Sequence, residues 1–228
     1  MISTKSTNGG RMALNKKINI IKYNKANKEN KNFMYTDFRR ANCYNCKFCN
    51  SNFDFASLRG AHFKSCDFYE VSFNWTEFIG TNLKKSKFKR ATFRNAVFEG
   101  VNLEGVDFYD ARFYDCIFID TDISKAENLK FTQKQVKVFD KMPELEISKE
   151  LEEAINIAME NPFIKESRTL DTKDRTISPI SCMILLEQFK ENFLIEGLKV
   201  ASKKIERDFC TLSYIITAIK GYERDGLI

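Results

Sequence analysis

Residues 71–100 read VSFNWTEFIGTNLKKSKFKRATFRNAVFEG, and a large apolar residue stands at every fifth position of this stretch. The same spacing runs from Phe38 to Ile123 with Cys43 as the one small substitute, and the residue two places before each of these positions is never larger than valine. We call the large residue the centre of its five-residue unit. The centres are Phe38, Cys43, Phe48, Phe53, Leu58, Phe63, Phe68, Phe73, Phe78, Leu83, Phe88, Phe93, Phe98, Leu103, Phe108, Phe113, Phe118 and Ile123.

A period of five residues excludes the two common secondary structures. A helix repeats its apolar face every 3.6 residues and a strand every two residues. If each unit forms one side of a square coil, the chain returns above itself after one full turn. The centre and the small residue then point inward, and the other positions face solvent. At four units per coil, the eighteen units predict about four and a half coils. Neighbouring coils should lie roughly 4.8 Å apart, the ordinary strand spacing.

Several units carry a more specific signature. Segments such as Ala41-Asn42-Cys43, Ala91-Thr92-Phe93 and Val106-Asp107-Phe108 resemble the pentapeptide-repeat family, in which a small residue precedes Asp or Asn and then Leu or Phe. The resemblance implies a right-handed quadrilateral parallel β-helix without a catalytic signature. Some members of that family resemble duplex DNA in shape and charge and protect DNA gyrase from inhibitors.

The repeat divides the chain into three predicted regions: a basic N-terminal tail or cap (1–32), the β-helix (33–129) and a C-terminal helical cap or dimerisation region (130–228). The repeat register fails where Asn128 takes the place of a centre and Leu129 arrives one residue late. Beyond it, the sequence predicts helices over Thr132–Met142, between Ser148 and Asn161, from Ser178 to about Asp208 with a possible interruption near Gly197, and over Phe209–Lys220. The segment Lys165–Thr176 is predicted as a loop.

The formal net charge of the chain is +6, and the excess is concentrated in residues 1–32. The basic residues there are Lys5, Arg11, Lys16, Lys17, Lys22, Lys25, Lys28 and Lys31. One interpretation is an arm for nucleic acid or another anionic surface. The favoured interpretation is a solubilising tail whose apolar piece, Ile18–Tyr23, covers the open first coil, because a bare coil end exposes strand edges and core.

The C-terminal region is more apolar than a single surface layer requires, so its helices need more than one packing partner. On the side of the coil formed by the centres Phe38, Leu58, Phe78, Phe98 and Phe118, the outward positions include Ile79, Val97, Ile117 and Ile119. We call this side the docking face. Its apolar patch predicts contact with the C-terminal helices or with a second copy of the chain. A homodimer is expected, since symmetric dimers are the commonest oligomers.

No residue pattern indicates an enzyme. Cys43-x-x-Cys46-x-x-Cys49 has a spacing compatible with zinc, but the coil points Cys43 and Cys46 inward and Cys49 outward, which predicts structural packing. His62 is the only histidine and lies on the outside. The sequence therefore predicts no catalytic residues, no metal site and no cofactor.

Two surface features remain as candidate partner-binding sites. A basic group crowds one coil and could contact phosphates or an acidic partner; it comprises Lys84, Lys85, Lys87, Lys89, Arg90 and Arg94. Phe55 and Trp75 occupy the same outward corner one coil apart. They are either binding anchors or residues covered by the N-terminal segment.

The leading hypothesis is a non-enzymatic protein-binding or structural scaffold with an unknown protein partner. The first alternative is a DNA mimic that interacts with gyrase, which the near-neutral charge of the solenoid disfavours. The second is direct nucleic-acid binding through the basic N-terminus and the 84–94 coil. The chain has no apolar run long enough to cross a membrane and no secretory signal, and its odd number of cysteines argues against a disulfide framework. A cytoplasmic, bacterial protein is therefore expected.

Overall fold

The computed structural model describes residues 20–228. A right-handed parallel β-helix of about six coils is followed by a region of packed helices. The strands are β1 (Lys22–Asn24), β2 (Asn42–Tyr44), β3 (His62–Lys64), β4 (Ser72–Asn74), β5 (Glu77–Ile79), β6 (Thr92–Arg94), β7 (Val97–Glu99), β8 (Arg112–Tyr114), β9 (Cys116–Ile119) and β10 (Val136–Phe139). The helices are α1 (Lys149–Glu160), α2 (Pro162–Ser167), α3 (Pro179–Gln188), α4 (Glu191–Lys204) and α5 (Leu212–Arg224).

All strand pairs are parallel and join residues one coil apart. Phe73 lies opposite Phe93, for example, and Phe93 lies opposite Phe113. Three sides of the coil carry short sheets with the orders β1-β2-β3, β4-β6-β8 and β5-β7-β9-β10. The fourth side is joined by isolated bridges such as Asp67↔Lys87 and Lys87↔Asp107. The predicted square coil is thus confirmed.

The centres form continuous aromatic stacks inside the tube. The Phe48 and Phe68 ring centroids are 5.2 Å apart, those of Phe68 and Phe88 4.7 Å, and those of Phe88 and Phe108 5.4 Å. The rings in each pair are tilted by no more than 18°, and all four side chains are buried. Offset stacking of this kind adds to the free energy gained from burying the ring surface.

The small inward residues also link successive coils. The hydroxyl groups of Thr76, Thr81 and Ser86 donate hydrogen bonds to carbonyl oxygens of the coil below, at 2.7–2.9 Å. Cys66 makes the equivalent contact, from its Sγ to the carbonyl oxygen of Cys43 at 3.4 Å. A small polar side chain is therefore satisfied at this buried position, as buried donors must be.

The coil turns its corners two residues after most centres, where the backbone takes a positive φ. Gly60, Gly80 and Gly100 fill this position on one edge of the docking face, with φ of 58–65°. Large residues fill it elsewhere, including Phe55 at 61° and Trp75 at 53°. A positive φ costs a non-glycine residue free energy. The backbone hydrogen bonds to neighbouring coils offset this cost and hold the corner residues in place.

The solenoid begins earlier than the predicted boundary at residue 33. Strand β1 pairs with β2 in the regular register, with Tyr23 opposite Cys43. Ile21 and Tyr23 pack against the aromatic core, so the apolar part of Ile18–Tyr23 that is described belongs to the first coil itself. Lys5, Arg11, Lys16 and Lys17 of the predicted basic arm lie outside the described residues.

The solenoid also continues past the predicted end at residue 129, and the helix predicted over Thr132–Met142 is wrong. Residues Val136–Phe139 form β10, which pairs with β9 in the regular register. The β-branched and aromatic residues of this segment favour a strand, and the free edge of β9 provides its partner. The failed register at Asn128 is local: Asn128 turns the corner with φ of 55°, and the Phe131 ring stacks on Phe118 at 5.9 Å.

The first helix of the C-terminal region begins and ends at the predicted signals. The Ser148 hydroxyl accepts a hydrogen bond from the Leu151 backbone N–H at 3.1 Å and caps α1. Asn161 ends α1, and its side-chain oxygen accepts bonds from the backbone N–H groups of Phe163 and Ile164 at the start of α2. Helix α2 therefore occupies the first part of the segment predicted as a loop. None of the helices in the described part of the chain is long and apolar enough to cross a bilayer.

The long helix predicted from Ser178 to about Asp208 is two helices. Ser178 caps α3 as expected, but the backbone at Phe189 is extended, with φ of −138° and ψ of 147°. The break lies at Phe189 and Lys190 rather than near Gly197, which is inside α4. No glycine or proline marks the break in the sequence. It allows α4 to pack against both α1 and α5.

Candidate functional site

The helical region packs on the docking face of the solenoid. Val97, Ile117 and Ile119 are buried there in a second apolar core that they share with the helices. Ile79 lies at the edge of this contact and is half-buried. The apolar patch that suggested either helix packing or a second copy is therefore covered by helices of the same chain.

A polar pair lies beneath the helices on the same face. The Glu77 carboxylate accepts a hydrogen bond from the Leu212 backbone N–H at 2.7 Å and so caps the N-terminus of α5. Its second oxygen, Oε2, has no hydrogen-bond partner and lies 3.9 Å from Nη2 of Arg59. Burial raises the pKa of Glu77, against the opposing attraction of Arg59. The sequence contains a signal for this pair: Glu77 is a charged residue at the outward position that is apolar one and two coils above, at Val97 and Ile117.

The aromatic corner differs from the predicted Phe55–Trp75 step. The stacked pair is Tyr35 and Phe55, with ring centroids 4.9 Å apart and planes 9° apart. Tyr35 is 65% exposed, and Phe55 is half-buried. Trp75, one coil above, packs against the helices instead. The regular coil period places Tyr35 below Phe55, but the series of centres was counted only from Phe38, so the prediction did not include Tyr35.

The predicted basic group does not form one patch. Lys84 and Lys85 lie on the side of centre Leu83, while Lys87, Lys89 and Arg90 lie on the next side and Arg94 on the one after. Three of these cations have acidic partners: Lys84 with Glu104 at 2.7 Å, Lys89 with Asp107 at 3.1 Å and Arg90 with Glu70 at 3.0 Å. The Arg94 guanidinium stacks 4.0 Å above the Tyr114 ring centroid. Their positive charge is thus spread around the coil, and half of these cations are paired with carboxylates.

The cysteines are free thiols within the described residues. Cys43 and Cys46 are buried, whereas Cys49 is half-exposed. Burial raises the pKa of Cys43 to about 12 and that of Cys116 to about 11, so these thiols are poor nucleophiles at neutral pH. Residues 20–228 contain no group of three His, Cys, Asp or Glu side chains arranged for a metal ion. His62 is exposed on β3.

A cleft of about 550 Å³ lies between the docking face and the segment that connects α2 to α3. We call it the arginine cleft. Its solenoid wall is the edge that carries Gly60, Gly80 and Gly100. Its charged lining residues are Arg39, Arg40, Arg59, Glu99 and Asp120 from the solenoid, and Glu166, Arg168, Asp171, Lys173 and Arg175 from the opposite wall. This site has no signal in the sequence, because its two walls are far apart in the chain.

Two family models match the solenoid. A model described as pentapeptide repeats (9 copies) matches residues 73–122, and one described as pentapeptide repeats (8 copies) matches residues 50–84. No curated protein matches the chain significantly.

Several solved structures are similar to part of the chain. Rfr23, a pentapeptide repeat protein from the cyanobacterium Cyanothece 51142, is 16% identical with a TM-score of 0.30, over 43% of this chain and 88% of that one. QnrB1, a plasmid-mediated fluoroquinolone resistance protein, is 18% identical with a TM-score of 0.39, over 51% of this chain and 71% of that one. A pentapeptide repeat protein from the Arabidopsis thaliana thylakoid lumen is 11% identical with a TM-score of 0.30, over 58% of this chain and 74% of that one.

Proposed function

We propose that this chain, whose β-helix is built of pentapeptide repeats, is a non-enzymatic scaffold that binds a protein partner through the exterior of its solenoid. The observation that carries the proposal is the Tyr35–Phe55 pair, a stacked aromatic step with Tyr35 65% exposed. Aromatic side chains dominate the binding energy of protein interfaces, because each removes a large rigid area from water.

The position of this pair favours a protein partner. The helices cover the docking face beside it, and Cys210, just before α5, lies against the carbonyl oxygens of Tyr35 and Phe55. A partner at this corner would therefore contact the rigid solenoid and the helical region together. A surface made of two preformed elements requires little ordering on binding, which favours affinity.

The test is capture of partners by the tagged protein from the cells that produce it, comparing wild type with Tyr35→Ala and Phe55→Ala. Tyr109→Ala is the matched control, because Tyr109 is 60% exposed on another side of the coil. We expect the first two variants to lower recovery of a specific partner about tenfold, as truncated anchors do. Recovery that is unchanged in both variants, or lost equally with Tyr109→Ala, would contradict the proposal.

The two alternative functions give different results in separate assays. Retention on DNA that falls steeply with salt concentration would support direct nucleic-acid binding. Inhibition of gyrase supercoiling without affinity for DNA would support a gyrase-interacting DNA mimic. The pairing of Lys84, Lys89 and Arg90 with acidic neighbours leaves less free positive charge on the 84–94 coil than its sequence suggests, so we favour the protein partner.

A cytoplasmic location and a homodimer remain part of this proposal. Helices of the same chain cover Val97, Ile117 and Ile119, so this apolar patch is not free for a second copy. A dimer would have to use another surface. Light scattering after size-exclusion chromatography would give the oligomeric state directly.

A further inference from the structure

Arg59 has the fewest polar partners of the largely buried arginines in the arginine cleft. Its side chain is only 23% exposed, and its Nε–H is buried without a partner. Within the described residues, no hydrogen bond engages its guanidinium, and the nearest carboxylate oxygen is that of Glu77 at 3.9 Å. A guanidinium has five donors, and buried donors without acceptors cost free energy. The side chain is thus prepared to bind an acceptor.

Arg39 occupies the equivalent position one coil below, and its guanidinium donors have acceptors. Its Nε and Nη2 donate to the Asp37 carboxylate at 2.7–3.0 Å, and its Nη1 donates to the Glu166 carbonyl oxygen at 2.6 Å. Arg39 therefore ties the solenoid to the opposite wall of the cleft and is occupied. Arg40, next to it, is exposed and has no ion pair or side-chain hydrogen bond within residues 20–228. Arg40 and Arg59 are the two arginines of the solenoid wall with donors available to a ligand.

The charge along the solenoid wall changes sign from one end of the cleft to the other. The corner backbone N–H groups of Arg40, Gly60 and Gly80 donate in turn to the carbonyl oxygens of Arg59, Ile79 and Glu99, which shows that these corners stack coil upon coil. The lower end carries Arg40 and Arg59, and the upper end carries Glu99 and, one coil higher, Asp120. Arg59 and Glu99 are two coils apart, which is about 10 Å at the usual strand spacing.

The corner column between the two charged ends has no side chains, and Ile79 stands beside it, between Arg59 and Glu99. Gly60, Gly80 and Gly100 have no side chains, and a Cβ added at Gly80 or Gly100 would meet no atom within 4 Å. The cleft volume of about 550 Å³ lies within the range of small-molecule sites. A ligand could thus lie along this column and contact both ends.

We propose that the arginine cleft binds a small zwitterion, with a phosphate or carboxylate group on Arg59 and Arg40 and a cationic group about 10 Å from Arg59 at Glu99, with Asp120 one coil beyond. The oxyanion accepts the donors that Arg59 leaves free, and arginine suits this task because its planar donors match phosphate and carboxylate oxygens. The acidic end repels a second anionic group and selects a cation. The site is separate from the Tyr35–Phe55 corner, so the two proposals stand or fall independently.

The test is calorimetric titration with three probes: 6-aminohexyl phosphate, hexyl phosphate without the ammonium group, and 6-aminohexanol without the phosphate group. We expect 6-aminohexyl phosphate to bind more tightly than either of the other two. Arg40→Gln should weaken its binding at least tenfold. Arg90→Gln is the matched control, because Arg90 holds the same corner position on another side, with φ of 57° against 60° for Arg40.

Glu99→Gln tests the acidic end. This variant should lose most of the preference for 6-aminohexyl phosphate over hexyl phosphate, because the ammonium group then has only Asp120, one coil higher, as a charged partner. Equal binding of the two probes by the wild type, no binding of either at millimolar concentration, or equal weakening by Arg90→Gln would each overturn the proposal. Far-ultraviolet circular dichroism of each variant confirms that a loss of binding is not a loss of fold.

Discussion

At the scale of single residues, Glu77 places a titratable carboxylate inside the contact between the solenoid and the helices. Burial raises its pKa, Arg59 and Arg39 lower it, and the nearby Glu99 raises it further. The Leu212 N–H holds the carboxylate in place. Because the pKa is higher in the folded chain than in the unfolded one, the contribution of Glu77 to stability is complete below the unfolded pKa. It is lost as the pH rises through the folded pKa.

We therefore expect the free energy of unfolding of Glu77→Gln to rise relative to that of wild type as the pH increases from about 4 toward neutrality. The amide does not titrate, and its oxygen can still accept the Leu212 N–H. Each unit by which the folded pKa is raised corresponds to about 1.4 kcal/mol in this difference. Urea unfolding of both proteins at a series of pH values measures it.

Glu104→Gln is the control for this prediction. Glu104 is exposed and bonded to Lys84, which lowers its pKa. Its contribution to stability is present above the unfolded pKa and lost as the pH falls through the folded pKa. The stability of Glu104→Gln relative to wild type should therefore change with pH in the opposite direction. The same direction in both variants would contradict the environment described for Glu77.

At the scale of secondary-structure elements, Gly197 explains how α4 and α5 approach each other. A Cβ added at Gly197 would lie 2.7 Å from Cγ2 of Ile219, which is buried on α5. Helix propensity alone predicts that Gly→Ala inside a helix stabilises by about 1 kcal/mol. We expect the opposite for Gly197→Ala, a loss of about 1–3 kcal/mol, because the packed core must shift to admit the methyl group.

Gly221→Ala is the matched comparison on α5. The nearest atom to an added Cβ there is the flexible end of Arg224 at 3.9 Å, so only the propensity effect remains. This variant should gain up to about 1 kcal/mol. Thermal and urea unfolding of both variants check the pair. Stabilisation by both substitutions would show that α4 and α5 are less closely packed than described.

The elements also show where sequence reasoning succeeds and where it fails. Local signals predict local features well: Ser148 and Ser178 begin helices, and Leu151, Ala154, Ile155 and Ala158 form the buried stripe of α1. Strand β10 was missed because its structure depends on the free edge of β9, which periodicity within its own short segment does not reveal. The break at Phe189 was missed for a similar reason: it follows from the packing of α4 on α1 and α5, and no turn residue marks it.

At the scale of the whole molecule, the repeat specifies the tube, but the functional surfaces arise from packing between distant segments. The regular period places Tyr35 below Phe55 and brings Arg59, Ile79 and Glu99 to one side of the coil, so their relation could be read from the sequence. The arginine cleft could not, because its second wall is the 166–178 segment. Its position depends on how the helices pack on Val97 and Ile117, and one sequence without the structure contains no signal for that orientation.

A solenoid whose coils contact only their neighbours should respond to core mutations according to their position along the tube. Phe88 lies in the middle, with its ring stacked between Phe68 and Phe108. Phe131 is half-buried at the end, where it stacks on Phe118 and meets Phe113 edge-on. Phe88→Ala should lower the free energy of unfolding by about 3–5 kcal/mol, the usual cost of deleting a buried phenyl ring.

Phe131→Ala should cost less than half as much, because its ring is stacked on one side only and its removal leaves a site that solvent can enter. Urea unfolding followed by far-ultraviolet circular dichroism measures both losses. For Phe88→Ala we also expect a shallower transition, since a gap in the middle of the stack weakens the coupling between the lower and upper coils. Equal losses for the two variants, with unchanged steepness, would mean that the coils do not couple through the aromatic stack.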